Sequence, residues 1–370
     1  MSLPSHMKAV VNHGGQAVVR NDVAIPPLAE GQVLIKTLAV AANPTDWKHL
    51  DYKIAPEGAI AGCDVAGKIV KLGTHVQDFS EGDVVCGFVH GGSIKHPENG
   101  AFAEYSAVDT KLLYKFGHGG QVLSGKSELP EGPVTSLEGL VTFPISLNTA
   151  GVVLVRNLHM RLDWKVAAGP QRREPVLVWG GATAFGQAFI QLAKQMHAFE
   201  KIIVVASRKH EQLLKKYGAD ELFDYHDADV IEQIKKSYPE LPLVIDGVST
   251  SATYPKIYKV TADSQPCTIV NLNYLGDKDV EKPKPNVKHE STMLYMMTGH
   301  EVPFGTTTFP PNPSYREDAI RFIQWAQSKI EAGLIHHMPV KIFHGLDQIP
   351  GMLEDIKTGK NSGVKLVATV

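Results

Sequence analysis

Apolar and polar positions along residues 176–208 follow the order strand, turn, helix, strand. Val176-Leu-Val-Trp179 is apolar throughout, as a strand buried on both faces is. Gly180-Gly-Ala-Thr-Ala-Phe-Gly186 reads as a glycine-bearing turn, and Gln187–Lys194 carries apolar residues at helical spacing. A second buried run, Ile202-Ile-Val-Val205, follows. The alternation continues. A helix is predicted over Glu211–Tyr217 with its stop at Gly218, then a strand over Glu221–Tyr225, an amphipathic helix over Ala228–Tyr238, and strands over Leu243–Asp246 and Cys267–Leu272. Such alternation predicts a parallel sheet with helices on both faces. The Pro- and Lys-rich stretch Asp277–His289 is expected to be a solvated loop without chemistry.

Residues 7–145 have a different rhythm. Short alternating runs such as Gln32-Val-Leu-Ile-Lys36 and Gly67-Lys-Ile-Val-Lys71 are broken by turn signals at Glu30-Gly31, Glu81-Gly82-Asp83 and Glu98-Asn99-Gly100. This predicts a compact β-barrel-like domain. Beyond 312, a helix over Tyr315–Ala332 and strands over Val340–Phe343 and Val364–Val370 are placed to rejoin it. The expected organisation is therefore 7–145, 146–312 and a return over 313–370.

The turn at 180–186 carries the first chemical implication. Backbone amides at a helix start, such as those of Ala184 and Phe185, point outward, and the helix dipole favours an anion there. Gly181 and Gly186 fill the first and last glycine positions of a dinucleotide fingerprint, and Thr183 takes the middle one. An NAD-preferring site usually sets an acidic residue about 20 positions further on. This chain has Ser207-Arg208-Lys209-His210 there, groups that suit the 2′-phosphate of NADPH. Val248, Asn271 and Leu272 follow strand ends, where ligands of open parallel sheets gather.

Composition narrows the class. A chain of 370 residues with 37 Lys+Arg against 39 Asp+Glu carries a net charge of −2, which gives no footprint for nucleic acid. No apolar run is expected to approach the roughly 20 residues that span a bilayer. The first residues lack a charged region followed by an apolar one, and Met7-Lys-Ala-Val-Val-Asn12 reads as a natural start, so residues 1–6 are expected to be an addition. Cys63, Cys86 and Cys267 are far apart and form no CxxC pair, which suits a reducing, cytoplasmic setting.

Several motifs in order resemble the medium-chain dehydrogenase/reductases. They are Ala42-Asn-Pro-Thr-Asp-Trp-Lys48, Gly62-Cys-Asp-Val-Ala-Gly67 with Gly73 and Gly82-Asp83, Asn99-Gly-Ala-Phe-Ala-Glu-Tyr105, Pro144-Ile-Ser-Leu-Asn-Thr-Ala150, the glycine turn, Tyr217–Tyr225 and Asn361-Ser-Gly-Val-Lys-Leu-Val367. More narrowly the chain is similar to the zinc-free quinone oxidoreductases and the fungal trans-acting enoyl reductases. The resemblance implies an α/β protein, with a GroES-like β-barrel-type substrate domain and a doubly wound Rossmann domain that binds NADPH. Zinc-dependent relatives carry a ligand cysteine where this chain has Asn43, and Gly-His-Glu where it has Gly62-Cys-Asp64. Zinc needs three or four converging ligands. The 16 histidines include no pair spaced H-x-x-x-H, and the adjacent His336 and His337 would diverge on a strand.

Without a metal, a carbonyl must be polarised by hydrogen bonds or a cation. The resemblance places Pro44, Thr45 and Asp46 beside the nicotinamide, with Asp46 also open to a turn role. It places Lys48 near the reacting oxygen, with Tyr52 as the second possible acid. It likens Thr149 to a threonine near the nicotinamide ribose, Tyr225 to a tyrosine by the 2′-phosphate, and Ser362 and Lys365 to tail residues that return to the cofactor. Thr149 is equally a helix cap, and Lys365 equally an exposed strand residue. The implied activity is hydride transfer to an activated alkene or a quinone. Reduction of an aldehyde, or cofactor binding without turnover, remains open. Loops Val89–Pro97 and Tyr295–Pro310 are expected to line the pocket of a small-molecule substrate, in a monomer or homodimer without nucleic-acid or membrane partners.

Overall fold

The structure, a computed structural model, describes residues 3–117 and 122–370. Met1 and Ser2, part of the expected addition, lie outside the described residues. The chain forms two compact units, one comprising the residues up to Asn148 together with Tyr295–Val370, the other Thr149–Leu294. The return to the first unit thus comes at Tyr295, earlier than the expected 313. The Tyr295 hydroxyl already bonds Thr45 of that unit.

The first unit is built on an eight-stranded mixed sheet. Strand Gln32–Ala41 lies at its centre and pairs with three antiparallel neighbours, Asp64–Leu72, Tyr105–Asp109 and Lys365–Thr369. Register shifts at Leu34/Ile35 and Thr37/Ala39 bend this strand, and such bulges let one strand serve several partners as a sheet curls. Gly67 must be glycine, because a Cβ there would lie 2.0 Å from the Lys36 carbonyl oxygen. Val33, Ile35, Val40, Val65, Ile69, Val85 and Phe102 form the core. Helix Ile349–Lys357, which the sequence pattern did not reveal, adds Ile349, Met352 and Leu353 to it. The tail rejoins the sheet as expected, with Val367 opposite Ala41.

The second unit carries six parallel strands in the spatial order Glu221–Phe223, Ile202–Val205, Val176–Trp179, Leu243–Asp246, Cys267–Asn271, Val287–Ser291. This doubly wound order reverses at Val176–Trp179, where ligands of such sheets bind beyond the strand ends. The expected loop Asp277–His289 thus runs into a sixth strand over its last three residues. Val287-Lys-His-Glu-Ser291 buries only Val287, so this edge strand has almost no apolar signature. Segment Leu137–Asn157 corrects the expectation about apolar runs. By length and composition alone it is long and apolar enough to cross a membrane, but 83% of its window is buried in the fold, as in a core helix.

Candidate functional site

In the first unit the site grows from helix Pro44–Asp51. Asn43 is extended and caps it, Pro44 opens it, and the Asn43 amide donates to Asp46 Oδ2 at 2.7 Å. Asp46 is thus a buried capping residue. Burial pushes its carboxyl up to about 7, against the pull of the Asn43 amide. The Asn43 side chain donates to Asp64 Oδ2 at 2.8 Å, and the other oxygen of Asp64 accepts the Ile145 amide at 2.8 Å. Lys365 completes the group. Its Nζ lies 3.2 Å from Asp64 Oδ2 and also donates to Asn43 Oδ1, with only 3% of its side chain exposed. The ammonium expected to return to the cofactor is engaged inside the fold, because a buried charge requires a partner.

Thr45 and His49 lie one turn apart on the same helix. Thr45 Oγ1 lies 2.5 Å from the Tyr295 hydroxyl, and His49 Nδ1 lies 2.8 Å from the Thr45 carbonyl and 3.2 Å from Thr45 Oγ1. Burial pushes His49 down to about 4, and its Nε2 is buried without a partner. The Tyr295 ring stacks on His90 at 3.9 Å and on Phe304 at 5.9 Å. The two loops expected to line a pocket supply these rings, His90 from the first and Tyr295 and Phe304 from the second.

Lys48 is half-buried, and burial lowers the basicity of its ammonium. It has no carboxylate or hydrogen-bond partner among the described residues; the nearest aromatic face is Trp47 at 5.9 Å. Tyr52 is 59% exposed, edge-on to Trp47. Pro44 and Ser362 are exposed. Cys63, Cys86 and Cys267 are free and buried, and burial holds the Cys63 thiol well above its ordinary value. Among the described residues no three His, Cys, Asp or Glu side chains converge to hold a metal ion. His336 and His337 lie outside any strand, on Glu131 and on the Met338 carbonyl respectively.

In the second unit Thr183 caps helix Ala184–Gln195. Its Oγ1 accepts from the Gly186 amide at 3.0 Å and donates to the Gly180 carbonyl at 2.8 Å. The first-turn amides of Ala184 and Phe185 have no helical carbonyl to meet, so they suit a pyrophosphate. A Cβ on Gly186 would lie 2.3 Å from the Gly180 oxygen, and one on Gly181 3.0 Å from Val204 Cβ. The turn itself needs Gly180, at φ +85, which the fingerprint reading passed over although the Gly-Gly pair signalled it.

The basic cluster differs from its sequence reading. Arg208 is 62% exposed, and its guanidinium already meets Asp227 at 3.1 Å and Asp224 at 3.8 Å. These carboxylates come from the far end of strand Glu221–Phe223, so the immediate neighbours of Arg208 in sequence could not reveal them. Burial works against the Asp224 charge, but the amides of His226 and Arg208 hold its carboxyl down at about 2. Ser207 is half-buried and Lys209 exposed. Tyr225 is 43% exposed, tilted over His226.

The strand-end residues are more occupied than expected. Asn271 Oδ1 accepts the amides of Asn273 and Leu275 at 3.1 and 2.9 Å, and its Nδ2 donates to the Leu275 carbonyl at 2.8 Å. The Leu272 amide donates to Ser249 Oγ at 2.8 Å and the Val248 amide to Asp246 at 2.9 Å. These bonds shape the loops that follow the strand ends. Thr149 lies half-buried on helix Pro144–Val152. The sequence points to Tyr295 only as the start of a pocket loop and does not single out His49, since a lone histidine and a tyrosine 250 residues from its partner carry no local signal.

Residues 29–118 match the family described as alcohol dehydrogenase GroES-like domain, and residues 184–312 the family described as zinc-binding dehydrogenase. The chain is 55% identical to an uncharacterized Saccharomyces cerevisiae protein, YNL134C, over 100% of this chain and 99% of that one. It is 30% identical to the trans-enoyl reductase resD of Aspergillus sclerotiorum, over 98% of this chain and 100% of that one. Among solved structures, the CurK enoyl reductase superposes with a TM-score of 0.71 at 18% identity, over 99% of both chains.

Proposed function

Because this chain belongs to the medium-chain dehydrogenase/reductase family, in the branch of the quinone oxidoreductases and trans-enoyl reductases, we propose that it is an NADPH-dependent, metal-free reductase of activated alkenes or quinones. NADPH, when bound, supplies the hydride. The amides of Ala184 and Phe185 would take the pyrophosphate, and Ser207, Arg208, Lys209 and Tyr225 the 2′-phosphate. Lys48 stabilises negative charge that develops on the acceptor oxygen. Its half-buried ammonium, free of any carboxylate among the described residues, carries the reading. A cation held away from counter-ions and partly from water acts more strongly on a developing oxyanion than one in bulk solvent. Exposed Tyr52 is a weaker acid candidate, and water reaches its position equally well.

The metal-free reading rests on the donor set. Asn43 and Asp64 are already bound to Lys365, and the buried Cys63 thiol keeps its proton, whereas zinc needs deprotonated ligands. The expected partner is a small molecule, and the expected setting cytosolic. NADPH oxidation by the purified protein, with panels of enones, quinones and aldehydes and with NADH in parallel, tests the reading. Turnover with enones or quinones, preference for NADPH and indifference to chelation are expected. Preference for aldehydes would make it an aldehyde reductase, and tight NADPH binding without turnover would make it a non-catalytic binding protein.

A further inference from the structure

The hydroxyl of Thr45 lies in an unusual setting. Two groups approach its oxygen, Tyr295 Oη at 2.5 Å and His49 Nδ1 at 3.2 Å. The Thr45 carbonyl can only accept, so Nδ1, 2.8 Å from it, carries the imidazole proton and leans secondarily on Oγ1. The other neighbour of Tyr295 Oη is Cys63 Sγ at 3.9 Å, a weak acceptor, and a phenol is a better donor than an aliphatic alcohol. Either hydroxyl could donate in this pair, and we assign the donor role to the more acidic phenol. Both lone pairs of Oγ1 then face donors, and the Thr45 proton has no acceptor among the described residues. The stack of His90, Tyr295 and Phe304 fixes the tyrosine ring and with it the direction of this bond.

We propose that Tyr295 is a positioning residue which, with His49, commits the Thr45 hydroxyl to donate, so that Thr45 offers a polarised O–H to the acceptor oxygen beside Lys48. This rests on the reductase reading above. A hydroxyl that accepts from two donors is a stronger donor in turn, because hydrogen bonds in a chain polarise one another. No covalent bond to protein forms. Thr45 lends a hydrogen bond to the oxygen as negative charge grows there, and Tyr295 keeps its own proton throughout. Tyr295 is thus separated from the acceptor by one hydroxyl, and its influence must pass through Thr45.

A double-mutant cycle separates this role from simple packing. Thr45→Val removes the donor and keeps the shape; kcat should fall about 100-fold, in the range for loss of one oxyanion donor. Tyr295→Phe keeps the ring and its stack and removes only the hydroxyl; kcat should fall about tenfold, with KM nearly unchanged. Thr45→Ser keeps the hydroxyl and should retain most activity and full sensitivity to Tyr295→Phe. In the Thr45→Val background, Tyr295→Phe should cost nothing more in kcat. Losses that multiply, or a Tyr295→Phe variant with wild-type kcat whatever its melting temperature, would overturn the positioning role while leaving the reductase reading intact. A wild-type protein that turns over no acceptor would overturn both.

Discussion

Two helix starts, one in each unit, use the same local device for opposite ends. Helix Ala184–Gln195 is capped by a neutral hydroxyl, Thr183, which takes the Gly186 amide and leaves those of Ala184 and Phe185 for a ligand. Helix Pro44–Asp51 is capped by Asn43, and its own Asp46 folds back on the capping amide. The first leaves the positive end of the helix dipole for an outside anion; the second fills it with an internal carboxyl. The charges around them differ in the same sense. Arg208, near the open helix, is mostly exposed and shares its guanidinium with Asp224 and Asp227. Around the filled helix, Asp46, His49, Asp64 and Lys365 are all buried. An open, half-buried start suits binding of a polar ligand. A closed one backed by buried, mutually bonded side chains is held rigidly by the fold.

If the closed region does chemistry and the open one binding, changing Lys48 should have the largest effect. Lys48→Met keeps much of the apolar stem and removes the charge. It should lower kcat about 100- to 1,000-fold while NADPH affinity changes little, as expected for an interaction made mainly in the transition state. Steady-state kinetics with a cofactor titration check this. Normal turnover would move the charge stabilisation elsewhere, and a crippled Tyr52→Phe beside it would assign the role to Tyr52.

A smaller effect is expected at the open region. Arg208→Ala should weaken NADPH by about 1 kcal/mol, the low end for a charge-assisted hydrogen bond, because Asp227 and Asp224 already share the guanidinium. NADH affinity should stay where it is. Calorimetric titration of both cofactors decides it, and an equal loss for both would remove Arg208 from the 2′-phosphate.

The smallest effect is a change in pH dependence confined to the closed region. Folding raises the Asp46 carboxyl from 3.8 to about 7, so its contribution to stability is complete below the lower value and lost as pH rises to the upper one. His49 runs the other way. Pushed from 6.5 down to about 4, it contributes fully above 6.5 and loses that contribution as pH falls through 4. The two slopes oppose each other over the shared window. Asp46→Asn should uncover the histidine, giving a stability that rises with pH between 4 and 6.5 more steeply than in the wild type. Urea unfolding across that range checks it; matching slopes in both proteins would show that Asp46 does not hold the extra proton.

Much of this architecture was legible beforehand. Helix Glu211–Tyr217 and strand Leu243–Asp246 lie where the pattern put them, and Gly218 ends its helix at φ +119. The strand Val287–Ser291 was not legible, because an edge strand with one buried residue leaves no period to read. Helix Ile349–Lys357 is likewise not legible as an element, although it buries Ile349, Met352 and Leu353. The cap at Thr183 and the close packing at Gly186 are legible because both are local, whereas Lys48 stands out only through the motif that the resemblance supplies. His49 was overlooked in that same motif, since nothing in the spacing says that the imidazole turns back onto Thr45.

By itself the sequence determined the doubly wound unit and its glycine turn at the start of helix Ala184–Gln195. Glycine backbone freedom and hydrophobic periodicity act over a few residues, and a few residues are enough to read them. Only the tertiary structure decided what the charged and hydroxyl groups do. Lys365 meets Asn43 across 322 residues, Tyr295 meets Thr45 across 250, and Asp224 reaches the Arg208 amide from a neighbouring strand 16 residues on. Such contacts are set by how sheets curl and chains return, and each one changes whether a side chain is free to meet a ligand or is already held by the fold.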